Sequence, residues 1–139
     1  MKQTTITNSF EETQKLGFDL AKTLKGGEVL CLHGDLGSGK TTFVQGLAKG
    51  LGVTQRIISP TFIIMRTYEI NSKFFYHVDL YRIESEKDIE GLGLFEIMQD
   101  KLNIVAIEWS EKIEHLLPSK RIDLFFDYID KDKRKIIIE

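Results

Sequence analysis

The hydrophobic positions of this chain change period along its length, and each change marks an element. Leu16, Leu20 and Leu24 recur at helical spacing behind Ser9-Phe10-Glu11-Glu12. Ser9 and Glu12 have the S-x-x-E spacing of a capping box, which predicts a helix through about Leu24, stopped by Gly26-Gly27. Glu28-Val29-Leu30-Cys31-Leu32-His33 is then an apolar run of strand length. Phe43, Val44, Leu47, Ala48 and Leu51 return to helical spacing, and Gly50-Leu51-Gly52 closes that second helix. Residues 63–70 and 74–83 are β-rich, separated by the turn Asn71-Ser72-Lys73; so short a connection makes the two strands antiparallel. Ile89, Leu92, Phe95 and Met98 predict helix over 85–101, although Gly91 and Gly93 lower its propensity. Asn103 to Trp109 is a buried strand, apolar in the middle and polar where it emerges. Arg121–Ile129 and Lys135–Glu139 form a last hairpin across a charged turn.

Between the first strand and the second helix lies Gly34-Asp35-Leu36-Gly37-Ser38-Gly39-Lys40-Thr41, a complete G-x-x-x-x-G-K-[ST] pattern with strand before and helix after. The glycines let successive backbone N–H groups surround a phosphate, a concavity that a Cβ would obstruct. The helix entered at Lys40 adds its positive end. Gly34, Leu36, Gly37, Ser38, Gly39 and Thr42 are therefore candidate phosphate-binding positions. Lys40 is the point charge for the outer phosphates and Thr41 a hydroxyl for Mg²⁺. The fold class that follows is α/β: a P-loop NTPase-like three-layer domain whose mixed sheet has a parallel core and antiparallel additions. Its site belongs at the carboxyl ends of the parallel strands.

Composition narrows the field. The 139 residues, 42% hydrophobic and 29% charged, predict one soluble domain spanning 1–139. A formal charge of −2 argues against a large basic surface for nucleic acid. The single cysteine, Cys31, builds no disulfide or zinc framework and is expected as a buried structural thiol. The N-terminal residues lack the apolar core of a signal peptide, and no segment approaches membrane-spanning length, so the expected location is cytoplasmic.

Hydrolysis or transfer needs a further acid near the metal and a group to orient the attacking oxygen. Glu108 ends the apolar run Ile104–Ile107, where a metal-linked acid is expected; the alternative is a solvent-facing strand end. Strand alternation puts Asp79 on one face with Phe75, His77 and Tyr81. An acid there needs a partner, and a plain pairing with Arg82 or Lys40 is the competing reading. Thr61, in Ser59-Pro60-Thr61-Phe62, is placed to meet a γ-phosphate or Mg²⁺, or else is a solvated turn residue. His33 and His77 are expected as packing residues, with a hydrogen bond from His77 to Asp79 as the alternative. His115 is expected at the surface, and the run Asp130–Lys135 as a solvated turn. Trp109 is open between core and ligand-facing roles. Guanine selection usually relies on N-K-x-D, which is lacking, so ATP is favoured. A small-molecule kinase is the alternative enzyme class. It needs an acceptor pocket and an Arg-bearing lid, and the arginines (56, 66, 82, 121 and 134) form no Arg-rich segment.

Taken in order, Gly34 to Phe43, Ser59-Pro60-Thr61-Phe62, His77-Val78-Asp79-Leu80-Tyr81-Arg82 and Ile107-Glu108-Trp109 resemble the TsaE (YjeE) family across nearly the whole chain. The resemblance implies a small ATPase of bacterial tRNA threonylcarbamoyladenosine biosynthesis that binds ATP and Mg²⁺. It implies docking on the TsaD–TsaB pair, with tRNA engaged only through that complex. It also implies Lys40 and Thr41 on phosphates and Mg²⁺, Glu108 and Asp79 as metal-linked acids, and Asp79 positioning the attacking water. Thr61 would belong to a switch segment, with Trp109 beside the site and Phe10 facing the nucleotide along with the Asp132–Arg134 turn. Ser38 stands where many members have Ala, a small-for-small change in a loop that binds through its backbone.

Overall fold

The structure, a computed structural model, describes residues 2–139; Met1 lies outside them. In chain order the elements are β1 (Gln3–Thr7), α1 (Phe10–Ala21), β2 (Val29–His33), α2 (Lys40–Leu51), β3 (Met65–Ile70), β4 (Lys73–Asp79), a 3₁₀ segment (Glu86–Leu92), α3 (Leu94–Gln99), β5 (Asn103–Glu108), a second 3₁₀ segment (Ser110–Leu116), β6 (Ile122–Tyr128) and β7 (Arg134–Ile138). The strands form one sheet in the order β1-β7-β6-β2-β5-β4-β3. Its centre, β6-β2-β5-β4, is parallel, and β3, β7 and β1 are added antiparallel. This is the expected P-loop-type mixed sheet, layered on both faces.

Alternation along the central strands divides the core in two. Leu30 and Leu32 of β2 and Ile104 and Ala106 of β5 face α1 and α2, packing on Phe43, Val44 and Leu47. Val29, Cys31, Val105 and Ile107 face the other way, against Ile89, Leu94, Met98 and Ile113. All six residues of β5 are buried, as befits a central parallel strand. Each large side chain buried here contributes about 1.5–3 kcal/mol. Cys31 is fully buried, and burial pushes its thiol up to about 11, as expected of an inert structural cysteine.

Local signals explain the helix ends. Ser9 Oγ accepts the Glu12 amide at 3.1 Å, but the Glu12 carboxylate reaches back to the Asn8 amide (2.8 Å) rather than to that of Ser9. The α1 helix ends at Ala21, a turn before Leu24. Three other expectations need correcting, and one element was not foreseen. Residues 63 and 64 form a turn instead of opening β3, because Ile64 takes a φ of 75°. Leu80 to Ile83 leave β4, whose pairing stops at Asp79. The predicted helix 85–101 splits at Gly93, which adopts φ 69°, into the first 3₁₀ segment and α3. Residues 3–7, nearly all polar, are a strand (β1) paired with β7, so their structure comes from a distant partner.

Helices α1 and α2 approach through glycine. A Cβ on Gly46 would lie 1.9 Å from the Gln14 carbonyl oxygen, and one on Gly50 would lie 2.6 Å from that of Phe18. Gly50 is thus a contact inside α2, while Gly52 (φ 100°) is its cap. Gly46→Ala should cost about 2 kcal/mol or more by forcing the helices apart, despite the better helix propensity of alanine. Gly91→Ala, with nothing within 4 Å of the added methyl, should stay within about 1 kcal/mol of wild type. Urea denaturation of both variants measures the difference; equal stability would show that the helix contact is not tight.

Candidate functional site

Parallel register brings the candidate acids to the loop. Glu108 is the Cα partner of Asp79 in β4 and of Leu32 in β2, so both acids stand level with the start of the glycine-rich loop. That loop leaves β2 after His33 and enters α2 at Gly39, whose φ is 107°. Gly37 takes φ 80°, also in the left-handed region. Among the described residues no side chain caps α2, and none partners the amides of its first turn. Leu36, Gly37, Gly39, Lys40, Thr41, Thr42, Ser59, Thr61, Asp79, Glu108 and Arg134 line a cavity of about 220 Å³. Free amides, a helix N-terminus and a lysine around one hollow suit an anion with several oxygens.

Each charged group of the cavity is held by a partner of its own. Lys40 is 4% exposed; its Nζ donates to the Gly34 carbonyl and lies 4.5 Å from the centre of the Trp109 ring. Trp109 itself takes φ 61°, unusual for a bulky residue, as the chain turns out of β5. The Tyr81 ring packs against it at 5.3 Å. Asp79 Oδ2 accepts from Thr61 Oγ1 at 2.7 Å and Oδ1 from the Tyr81 amide at 2.9 Å. The Thr61 hydroxyl hydrogen goes to Asp79, so Ser59 Oγ, 2.8 Å away, is the donor to Thr61. The Asp79 amide in turn donates to Ile64 O (2.8 Å), which fastens the Pro60–Ile64 turn over the end of β4. Glu108 is 4% exposed, with Oε2 2.7 Å from His77 Nε2.

These contacts decide several open alternatives. Asp79 pairs with Thr61, not with Arg82, whose guanidinium lies over the Phe62 ring at 4.8 Å, nor with Lys40. Glu108 is a buried strand end rather than a solvent-facing one. His77 bonds Glu108 and not Asp79; the parallel stagger of β4 and β5 sets a diagonal neighbour that alternation within one strand does not reveal. His33 stacks on Phe125 at 4.7 Å and meets Asp123 at 3.0 Å, away from the cavity. His115 is exposed and pairs with Glu86.

Of the other candidate positions, Gly34 contributes its carbonyl to Lys40, and Ser38 is buried beneath the loop. Phe10 lines a second hollow of about 160 Å³ with Ser9, Thr13, Lys131 and Asp132, which shares Gly39, Thr42 and Arg134 with the first. Arg134 is the residue the sequence undervalued. Its Nη2 donates to the Gly37 carbonyl at 3.1 Å, its Nη1 to that of Asp130 at 2.7 Å, and its guanidinium lies over Tyr128 at 4.6 Å. No local signal marks an arginine that meets a loop 97 positions earlier.

A loop at the end of a parallel strand, with acids at its level on the next two strands to one side, β5 and β4, is the arrangement of the P-loop α/β class. Within that class the chain belongs to the family described as threonylcarbamoyl adenosine biosynthesis protein TsaE, which residues 7–136 match. Curated relatives carrying the name tRNA threonylcarbamoyladenosine biosynthesis protein TsaE include that of Rickettsia bellii, 44% identical over 131 residues (94% of this chain, 90% of that protein). That of Bacillus subtilis is 41% identical over 126 residues (91% and 78%), and that of Aquifex aeolicus 39% over 137 (96% and 92%). Among solved structures, that of Bacillus subtilis YdiB superposes with a TM-score of 0.84 at 34% identity, covering 99% of this chain and 84% of YdiB.

Thr61→Val tests the fastening of the turn. It deprives the nearly buried Asp79 carboxylate of its hydroxyl donor, a loss of about 1.5–3 kcal/mol for a bond to a charged group. Amide hydrogen exchange should accelerate at residues 61–64 while the amides of β5 stay protected; unchanged exchange would show the turn is held by other contacts.

Proposed function

We propose that this protein is a Mg²⁺-dependent ATPase of tRNA threonylcarbamoyladenosine biosynthesis, hydrolysing ATP in concert with a TsaD–TsaB pair. The observation that carries this reading is Lys40 buried at the loop–helix junction, lining one cavity together with Asp79 and Glu108. The lysine and the first-turn amides of α2 suit the triphosphate, and the second hollow beside Phe10 and Arg134 suits the nucleoside end. Thr41 and Glu108 would hold Mg²⁺, with Asp79 close by; this ion commonly takes one or two protein groups and completes its shell with phosphate and water oxygens. When bound, the ion would neutralise charge on the phosphates.

The protein groups divide the remaining work. Asp79, fixed at both oxygens by Thr61 and Tyr81, is suited to orienting the attacking water. Thr61 ties that acid to the Ser59–Ile64 segment, so occupancy of the site and the position of the segment are linked. Phe62 and Ile63 of that segment and Ile58 just before it are exposed, at 83%, 51% and 48%, an apolar surface suited to a protein partner beside the site. Among the described residues no helix is long and apolar enough to cross a membrane.

Steady-state ATP hydrolysis, measured alone and with an active TsaD–TsaB pair, with and without tRNA, tests the reading. Marked stimulation by the pair is expected; phosphate transfer to a small acceptor faster than to water would favour a kinase instead. Lys40→Ala should abolish ATP binding or nearly so, and unchanged affinity would overturn the loop assignment. Asp79→Ala should bind ATP yet hydrolyse it about 10²–10⁴-fold more slowly, whereas normal turnover would make Asp79 structural.

A further inference from the structure

The geometry points to His77 as the residue that positions the Glu108 carboxylate, an assignment that rests on Glu108 facing the metal in the reaction proposed above. His77 lies on β4, two residues before Asp79, and is completely buried. Its Cα partner on β5 is Ala106, so Glu108 stands two residues further along the same face. Nε2 is 2.7 Å from Glu108 Oε2. A carboxylate offers only acceptors, so Nε2 carries the hydrogen and donates. His77 does not line the cavity and is a positioning residue, not a catalytic one.

The other ring nitrogen argues that this bond is the reason for a histidine here. Nδ1 is buried with no partner among the described residues, a cost that phenylalanine or leucine at the same place would not carry. The ring also lies near-parallel to that of Phe75, with centroids 6.5 Å apart and planes at 19°. With Oε2 held from behind, Oε1 is the carboxylate oxygen left for the cavity that Glu108 lines together with Thr41. A donor behind a ligating carboxylate sets its orientation, and losing such a donor typically weakens metal affinity or activity about 10–100-fold.

Two substitutions separate the hydrogen bond from the packing. His77→Phe keeps a flat ring against Phe75 and removes the donor; His77→Gln keeps an N–H donor near the place of Nε2. Binding of a non-hydrolysable ATP analogue is measured for both with Mg²⁺ and with EDTA, alongside Glu108→Ala. His77→Phe should lose about 10–100-fold in affinity with Mg²⁺ and nothing in EDTA, and His77→Gln should recover most of the loss. Wild-type affinity in His77→Phe, an equal loss in EDTA, or a His77→Gln as weak as His77→Phe would each overturn the assignment. If Glu108→Ala loses Mg²⁺-dependent binding and His77→Phe does not, only the role of His77 falls. If Glu108→Ala is itself indifferent to Mg²⁺, the metal-facing reading of Glu108 falls and takes this one with it. Should His77→Phe fail to fold, ring ¹⁵N spectra of the wild-type protein still decide: hydrogen on Nε2 is expected, and hydrogen on Nδ1 with a bare Nε2 would contradict the bond.

Discussion

Everything at the site depends on the register of three parallel strands. Because β5 pairs with β2 on one side and β4 on the other, Glu108 is level with Leu32 and Asp79 at once. A one-residue slip would turn either acid to the opposite face of the sheet. The register is in turn enforced by burial: both faces of β5 are covered, so each of its side chains has one place to go. Core packing and site assembly are therefore one constraint seen at two distances. Sequence pattern fixes which residues face α1 and α2, those faces set the register, and the register delivers the acids to the loop.

The second regularity is electrostatic. Lys40, Asp79 and Glu108 share a cavity, yet among the described residues none of them pairs with another. Lys40 rests on a carbonyl and an aromatic face, Asp79 on a hydroxyl and an amide, and Glu108 on an imidazole. Had the lysine closed on either acid, a ligand would first have to break a partly buried ion pair, a costly step. These partners hold the charges in place and leave them free to act on what enters, which is preorganisation in a physical sense.

Much of this was legible in the chain itself, for definable reasons. The loop, its flanking strand and helix, the β3–β4 and β6–β7 hairpins and the buried β5 all follow from short-range pattern. So do the candidate acids, since each ends an apolar run or interrupts one. What escaped comes from pairing at long range or from single backbone angles. Polar β1 is a strand only because β7 lies beside it. The turn at Ile64 depends on a positive φ at a β-branched residue, which composition does not announce, and Gly93 marked a weak point of the helix without placing its break. The His77–Glu108 bond crosses between strands, and Arg134 reaches the loop from the last hairpin. The family resemblance drew attention to the Asp132–Arg134 turn without saying what Arg134 touches.

The central claim is that the cavity at the loop reads phosphate. Trp109 is the only tryptophan of the chain and lies against the Lys40 ammonium, so its fluorescence reports on that lysine. Titration with ATP, ADP and adenosine in turn is the most direct measurement. The account predicts a saturable change with ATP that weakens as phosphates are removed and vanishes with adenosine. An equal response to adenosine and ATP, or none to ATP while the protein is folded, would contradict it.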